Sequence, residues 1–132
     1  MVQALLMQHD EDPAKQIWER LGGKLDDIEV FGNYVLLGIY ERPEKTKSGI
    51  IVTANTRKED EHQGKSALVL RKGPTAFVSD HNYDFKGQDV SVGDWVAIFI
   101  SDGRKLVIDK QLCRLVEDHH IRLKLKSPDT VY

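Results

Sequence analysis

Apolar residues recur with a helical period near the start of the chain and with a strand-like pattern after it. Ala14, Ile17, Trp18 and Leu21 fall at i, i+3, i+4 and i+7, which places them on one face of a helix. Asp12 offers a carboxylate to the exposed backbone donors at its start, Pro13 fits the first helical position, and Gly22-Gly23 ends it. A helix of about nine residues is not stable alone in water, so this face must dock on its own domain or on a neighbour.

From Val30 the pattern belongs to strands. "VFGNYVLLGIY", Val30 to Tyr40, is rich in β-branched and aromatic residues, and Pro43 separates it from the polar stretch after it. "SALVLRKG" predicts a second strand, ended by Gly73-Pro74. "VSVGDWVAIFI" predicts a tight turn at Gly93-Asp94, then a nearly continuous apolar run expected to be buried on both sides. "SDGRKLVI" reads as a hairpin with Asp102-Gly103 at its turn. "QLCRLVEDHHIRLKLK" predicts a strand, a polar turn at Asp118 to His120, and a last strand in which Ile121, Leu123 and Leu125 form a dry face against Arg122, Lys124 and Lys126. Several short strands and one short helix predict an all-β fold, a small β-barrel or sandwich.

Two polar stretches interrupt this pattern, about Pro43 to Gly64 and about Gly73 to Asp89. Loops of that length are uncommon in compact domains unless disordered or functional. The first carries Ile50, Ile51 and Val52 between "TKSG" and "TRKEDEHQGK", apolar residues where a solvated loop has no use for them. The second carries Phe77, Tyr83 and Phe85.

Composition narrows the classes. The 132 residues suffice for one domain, and 40% hydrophobic with 30% charged residues places the chain among soluble globular proteins. Nineteen basic against 21 acidic residues leave no electrostatic footprint for a phosphate backbone, so no nucleic-acid partner is expected; the basic row Arg122, Lys124 and Lys126 reads as a solvated strand face. Cys113 is the single cysteine, which excludes an internal disulfide and a multi-thiolate metal site, and a reducing, intracellular setting is the simplest expectation. No apolar run is long enough to span a membrane, and the N-terminus lacks the features of a signal peptide.

Candidate chemistry is sparse. His9, His62, His81, His119 and His120 form no spaced set with a carboxylate that points to zinc or hydrolysis; adjacent His119 and His120 would point to opposite faces if in a strand, and they read as solvated turn histidines. The clusters Asp10-Glu11-Asp12 and Glu59-Asp60-Glu61 read as solvated surface. No phosphate loop or nucleophile elbow is present. The expectation is a non-enzyme with no cofactor, no metal and no small-molecule substrate.

The order of these motifs resembles the GroES-like co-chaperonin family, the ten-kilodalton partners of double-ring chaperonins. "VFGNYVLLGIYE" is similar to its opening strand, "EKTKSGIIVTANTRKEDEHQGKSALVLRKG" to its mobile loop and the strand after it, "QDVSVGDWVAIFISDGRKL" to its valine-glycine-aspartate turn before a buried strand, and "DKQLCRLVEDHHIRLKL" to its closing segment. The resemblance implies a ring of GroES-like small β-barrels that caps a chaperonin. In it, Gly49, Ile50, Ile51, Val52 and Thr53 would bind the partner, and Pro74 to Asp89 would take the place of the roof hairpin.

On this reading residues 1–28 form an extension with the short helix, 29–126 the GroES-like domain (mobile-loop-like segment 43–64, roof-like loop 74–89), and 127–132 a tail. Ile17, Trp18, Leu21, Phe77, Tyr83 and Phe85 are candidate contacts to other copies or neighbours. The expected partners are further copies of the chain and a cytoplasmic chaperonin ring. Viral members of this fold exist, and the added extension, tail and aromatic loop motivate an alternative: a bacteriophage-encoded structural subunit in a virion, bound to capsid proteins as a decoration or stabilising element.

Overall fold

The structure is a computed structural model that describes residues 12–41, 66–99 and 101–131. The helix α1 spans Pro13–Leu21, and a 3-10 turn follows at Lys24–Asp27. Six strands come next: β1 Tyr34–Ile39, β2 Ser66–Lys72, β3 Trp95–Ala97, β4 Arg104–Ile108, β5 Gln111–Glu117 and β6 Leu123–Leu125. They form one antiparallel sheet in the order β4-β5-β1-β2-β3-β6. The all-β, GroES-like expectation holds, and it takes the form of a single sheet ending in β4 and β6. Among the described residues no helix is long and apolar enough to cross a membrane.

Period-two alternation divides the central strands between two cores. Val35, Leu37 and Ile39 of β1 join Ala67 and Val69 of β2, Val96 and Val116 in one cluster. Leu36, Leu68, Leu70 and Cys113 point the other way, onto Ile17, Leu21 and Leu25. Between Leu36 and Leu37 the β1–β2 register shifts by one residue, leaving Leu70 as the extra position of a β-bulge.

The helix forms as its sequence predicts. The Asp12 carboxylate accepts from the Ala14 N–H at 3.1 Å, and Gly22 ends the helix in the left-handed conformation. Its apolar face docks on this chain's own sheet: Ile17 and Leu21 are buried, and Ala14 and Trp18 pack at the margin. Gly38 makes the seat, since a Cβ there would stand 2.7 Å from Ile17 Cγ2. The far end is held by the Lys110 N–H, which donates to Arg20 O at 3.1 Å.

Three expectations need correction. Asp102-Gly103 is not a hairpin turn, because β3 and β4 lie in different parts of the sheet, separated by β2, β1 and β5, and the segment between them crosses over. Asp102 is buried there: its carboxylate accepts from the Phe99 N–H at 2.9 Å and from Arg122 at 3.2 Å, while Arg114 donates to its carbonyl at 2.8 Å. The hairpin is β4–β5, turning at Asp109-Lys110.

The apolar run after Gly93-Asp94 gives only the three-residue β3, with Val96 buried and Phe99 exposed. The dry face expected of Ile121, Leu123 and Leu125 is also incomplete. Ile121 precedes β6 and packs on the first cluster, whereas Leu123 is half-exposed at a strand that has a partner on one side only.

Replacing Gly38 by Ala is expected to destabilise the protein by about 1–3 kcal/mol by pushing the helix off its seat. In an Ile17→Ala background the same change should cost less, because the clashing methyl is gone. Urea midpoints of the two single variants and the double variant measure the difference, and strict additivity would contradict the seat.

Cys113 is fully buried, and burial pushes its thiol up from an ordinary 9.0 to about 12. Folding thus favours the neutral thiol: its contribution is complete below pH 9 and declines as pH rises from 9 towards 12. At pH 8 a disulfide reagent is expected to modify Cys113 only as fast as the protein opens, so the labelling rate should track urea-dependent unfolding.

Candidate functional site

The residues expected to bind a partner, Gly49, Ile50, Ile51, Val52 and Thr53, lie outside the described residues, as does the whole of segment 43–64. The structure does define the platform on which both ends of that segment stand. β1 leaves the sheet and β2 enters it side by side, with Ile39 opposite Ala67, and the Tyr40 N–H donates to Ser66 O at 3.0 Å.

The tail closes over this base. Tyr40 Oη donates to Asp129 Oδ1 at 2.6 Å, Ser66 Oγ donates to Pro128 O at 2.9 Å, and Trp95 meets the Tyr40 ring edge-on at 5.8 Å. Two buried hydroxyl-bearing side chains, one at each end of the segment, are thereby tied to residues just past the last strand.

The other candidate contacts fall in two places. Ile17 and Leu21 are buried within the chain and expose no surface to a neighbour, and Trp18 is half-covered. Phe77, Tyr83 and Phe85 are brought together: Phe77 and Phe85 meet edge-on at 5.3 Å, and Tyr83 lies 4.7 Å from Phe85. Their loop contains no strands and is held by short polar side chains. Asp80 accepts from the Asn82 and Tyr83 amides, which hold its carboxyl below the usual range; Ser79 and Asp84 bond each other and take the Phe85 and Lys86 amides. Tyr83 remains 48% exposed and is the most exposed of the three rings.

The anchor beneath this loop is Asp118, which the sequence shows only as one residue of a polar turn. It is buried, and its carboxylate accepts from the Phe77 N–H at 3.0 Å, the His119 N–H at 2.8 Å and Asn33 Nδ2 at 3.2 Å. The first of these bonds holds Phe77 at a φ of 62°, a left-handed conformation unfavourable for an aromatic residue. One carboxylate therefore joins the start of β1, the aromatic loop and the end of β5.

His119 and His120 lie in the polar turn that the sequence predicts and not on opposite faces of a strand. Residues 118–120 form a 3-10 turn, the two imidazole rings stand 4.6 Å apart, and Glu117 faces both. Adjacent residues separate by half a turn only in an extended strand, and the chain here has already left β5.

An open groove of about 620 Å³ runs beside the loop, lined by Phe77, Phe85, Val90, Ile121 and Leu123 with Arg122 and Lys124 at its rim. Its lining includes no serine, cysteine or histidine.

The architecture defines an antiparallel all-β protein with a long insertion between β1 and β2 and an aromatic loop between β2 and β3. A family model described as the chaperonin 10-kDa subunit, Cpn10, matches residues 27–125, and the chain belongs to that family. The match begins after α1 and ends with β6. A comparison with curated proteins finds no match.

Replacing Asp118 by Ala is expected to cost about 1–3 kcal/mol, because it leaves donors from three segments without their acceptor. Hydrogen exchange should show the Phe77 and His119 amides accelerated far more than amides in β1. Equal acceleration everywhere would mean that the carboxylate does not hold the loop locally.

Proposed function

We propose that this protein is a non-catalytic co-chaperonin. It assembles with copies of itself and binds a chaperonin in the cytoplasm through Gly49 to Thr53, with Ile50, Ile51 and Val52 as the apolar grip. The observation that carries this reading is the family match over residues 27–125, which spans the whole sheet and the segment itself. The platform supports it, because both ends of the segment are anchored to the sheet and to the tail through Tyr40 and Ser66.

Energetics favour many weak contacts over one strong contact. Burying an aliphatic side chain contributes roughly 1.5–3 kcal/mol, and ordering backbone costs on the order of 1–2 kcal/mol per residue, so one segment binds weakly. Identical segments on an assembled ring make later contacts effectively intramolecular, and the ring holds where a single chain does not. Within the aromatic loop Val78 and Tyr83 are the exposed apolar residues available to meet a neighbouring copy.

A second reading uses the same fold as a structural subunit bound to a viral capsid. It draws on the extension and tail that lie outside the family match. Two of its motivating features are accounted for within the chain, since the helix packs on its own sheet and the tail bonds to the base of the segment.

The co-chaperonin reading predicts ATP-dependent complex formation with a chaperonin double ring and a change in its ATPase rate. Ile51→Asp is expected to weaken the complex by more than about tenfold, since the loss of one buried aliphatic side chain recurs in every subunit. A wild-type protein that neither binds a chaperonin nor alters its ATPase would overturn the reading. Native mass measurement of the free protein reports whether it assembles.

A further inference from the structure

We propose that Glu117, His119 and His120 form a binding site for a divalent transition-metal ion of the zinc class, set in the turn after β5 and directly beneath the aromatic loop. One ligand atom from each residue lies within 4.8 Å of the other two. All three side chains are partly exposed, which leaves the site open to an incoming ion and gives room for water to complete the coordination.

The arrangement around His119 carries the argument. Its Nε2 stands 3.2 Å from Glu117 Oε2, and its Nδ1 stands 3.6 Å from Asp118 Oδ1. The ring therefore lies between two carboxylates, the nearer of them at Nε2. An ion at Nε2 would sit between this ring and the Glu117 carboxylate, with the Asp118 carboxylate on the other side of the ring. At 3.6 Å the Nδ1–Asp118 contact is longer than a hydrogen bond, and the Nε2 side of the ring is the one close to Glu117 Oε2.

A tetrahedral ion with bonds of about 2.0–2.1 Å holds neighbouring ligand atoms roughly 3.3 Å apart, close to the separation already present. Asp118 stands 3.6 Å behind the ring, where a small closing movement would let its carboxylate orient a metal-bound histidine. Its three donors, Phe77, His119 and Asn33, keep it in place whether or not an ion is bound.

His120 completes the protein ligands. Its Nδ1 accepts from the Glu117 N–H at 3.1 Å, and the Glu117 carboxylate in turn accepts from the His120 N–H. These reciprocal bonds hold both side chains over one short turn. To ligate, His120 must turn Nδ1 from the amide to the ion, a local rearrangement of a half-exposed ring. The ion would also stiffen the aromatic loop, because the Tyr83 ring rests 5.7 Å from that of His119.

The test titrates the full-length protein at pH 7.5 with zinc chloride by calorimetry and with cobalt chloride by visible absorption. One equivalent per chain is expected, with cobalt bands showing nitrogen and oxygen ligation. His119→Ala and Glu117→Gln should each weaken binding at least about tenfold. Both side chains are about a third exposed, so circular dichroism and urea midpoints without metal should match the wild type. A variant with His9, His62 and His81 all changed to Ala should bind as the wild type does. Absence of stoichiometric binding would overturn the proposal, as would binding that survives both ligand substitutions or binding lost in the triple variant.

Discussion

Val35, Leu37 and Ile39 enter one core from β1 while Leu36 enters another, so from Val35 onward this strand has no face in water. The second core is closed by α1, which lays Ile17 and Leu21 over it, and α1 approaches this closely because Gly38 has no side chain. Antiparallel sheets commonly leave one face solvated. Here the helix replaces that solvent over the central strands, and the extension preceding the family match is therefore part of the domain's stability.

A central pair buried on both sides gives the chain a rigid place from which to project something else. The ends of β1 and β2 at Ile39 and Ala67 fix where the insertion between them begins and ends, and the bonds from Tyr40 and Ser66 to the tail brace that point. On the co-chaperonin reading, rigidity at the base and binding residues remote from it divide the work. The sheet supplies position and symmetry on assembly, and the segment supplies contact chemistry that can be released.

Much of this was legible because it rests on local rules. The Asp12 cap, Pro13, the Gly22 stop and the i, i+3, i+4, i+7 face of α1 each act within a few residues, and the β1 and β2 runs carry their own composition. Where strand pairing decides the outcome, sequence misleads. Asp102-Gly103 looks like a hairpin turn by its dipeptide, but β3 pairs with β2 and β6, and β4 pairs with β5, which no local signal encodes. Leu123 alternates correctly and is still half-exposed, since a strand with a partner on one side only has little to bury it. The sequence leaves the docking partner of α1 open for the same reason: the missing side chain at Gly38 acquires meaning only when Ile17 sits over it.

The turn at Glu117 to His120 shows the same limit at a finer scale. Four polar residues in a row read as solvated surface, and by composition that is the sound expectation. Asp118 is nevertheless buried, because the segments that donate to it come from Asn33, 85 residues away, and Phe77, 41 residues away. Once its carboxylate is committed to those donors, it cannot move away from His119, and the histidine stands between a fixed negative group and Glu117. Long-range hydrogen bonding thus fixes a buried carboxylate beside the histidines of a short turn, and the aromatic loop above it is tied to that turn through Phe77 and Tyr83.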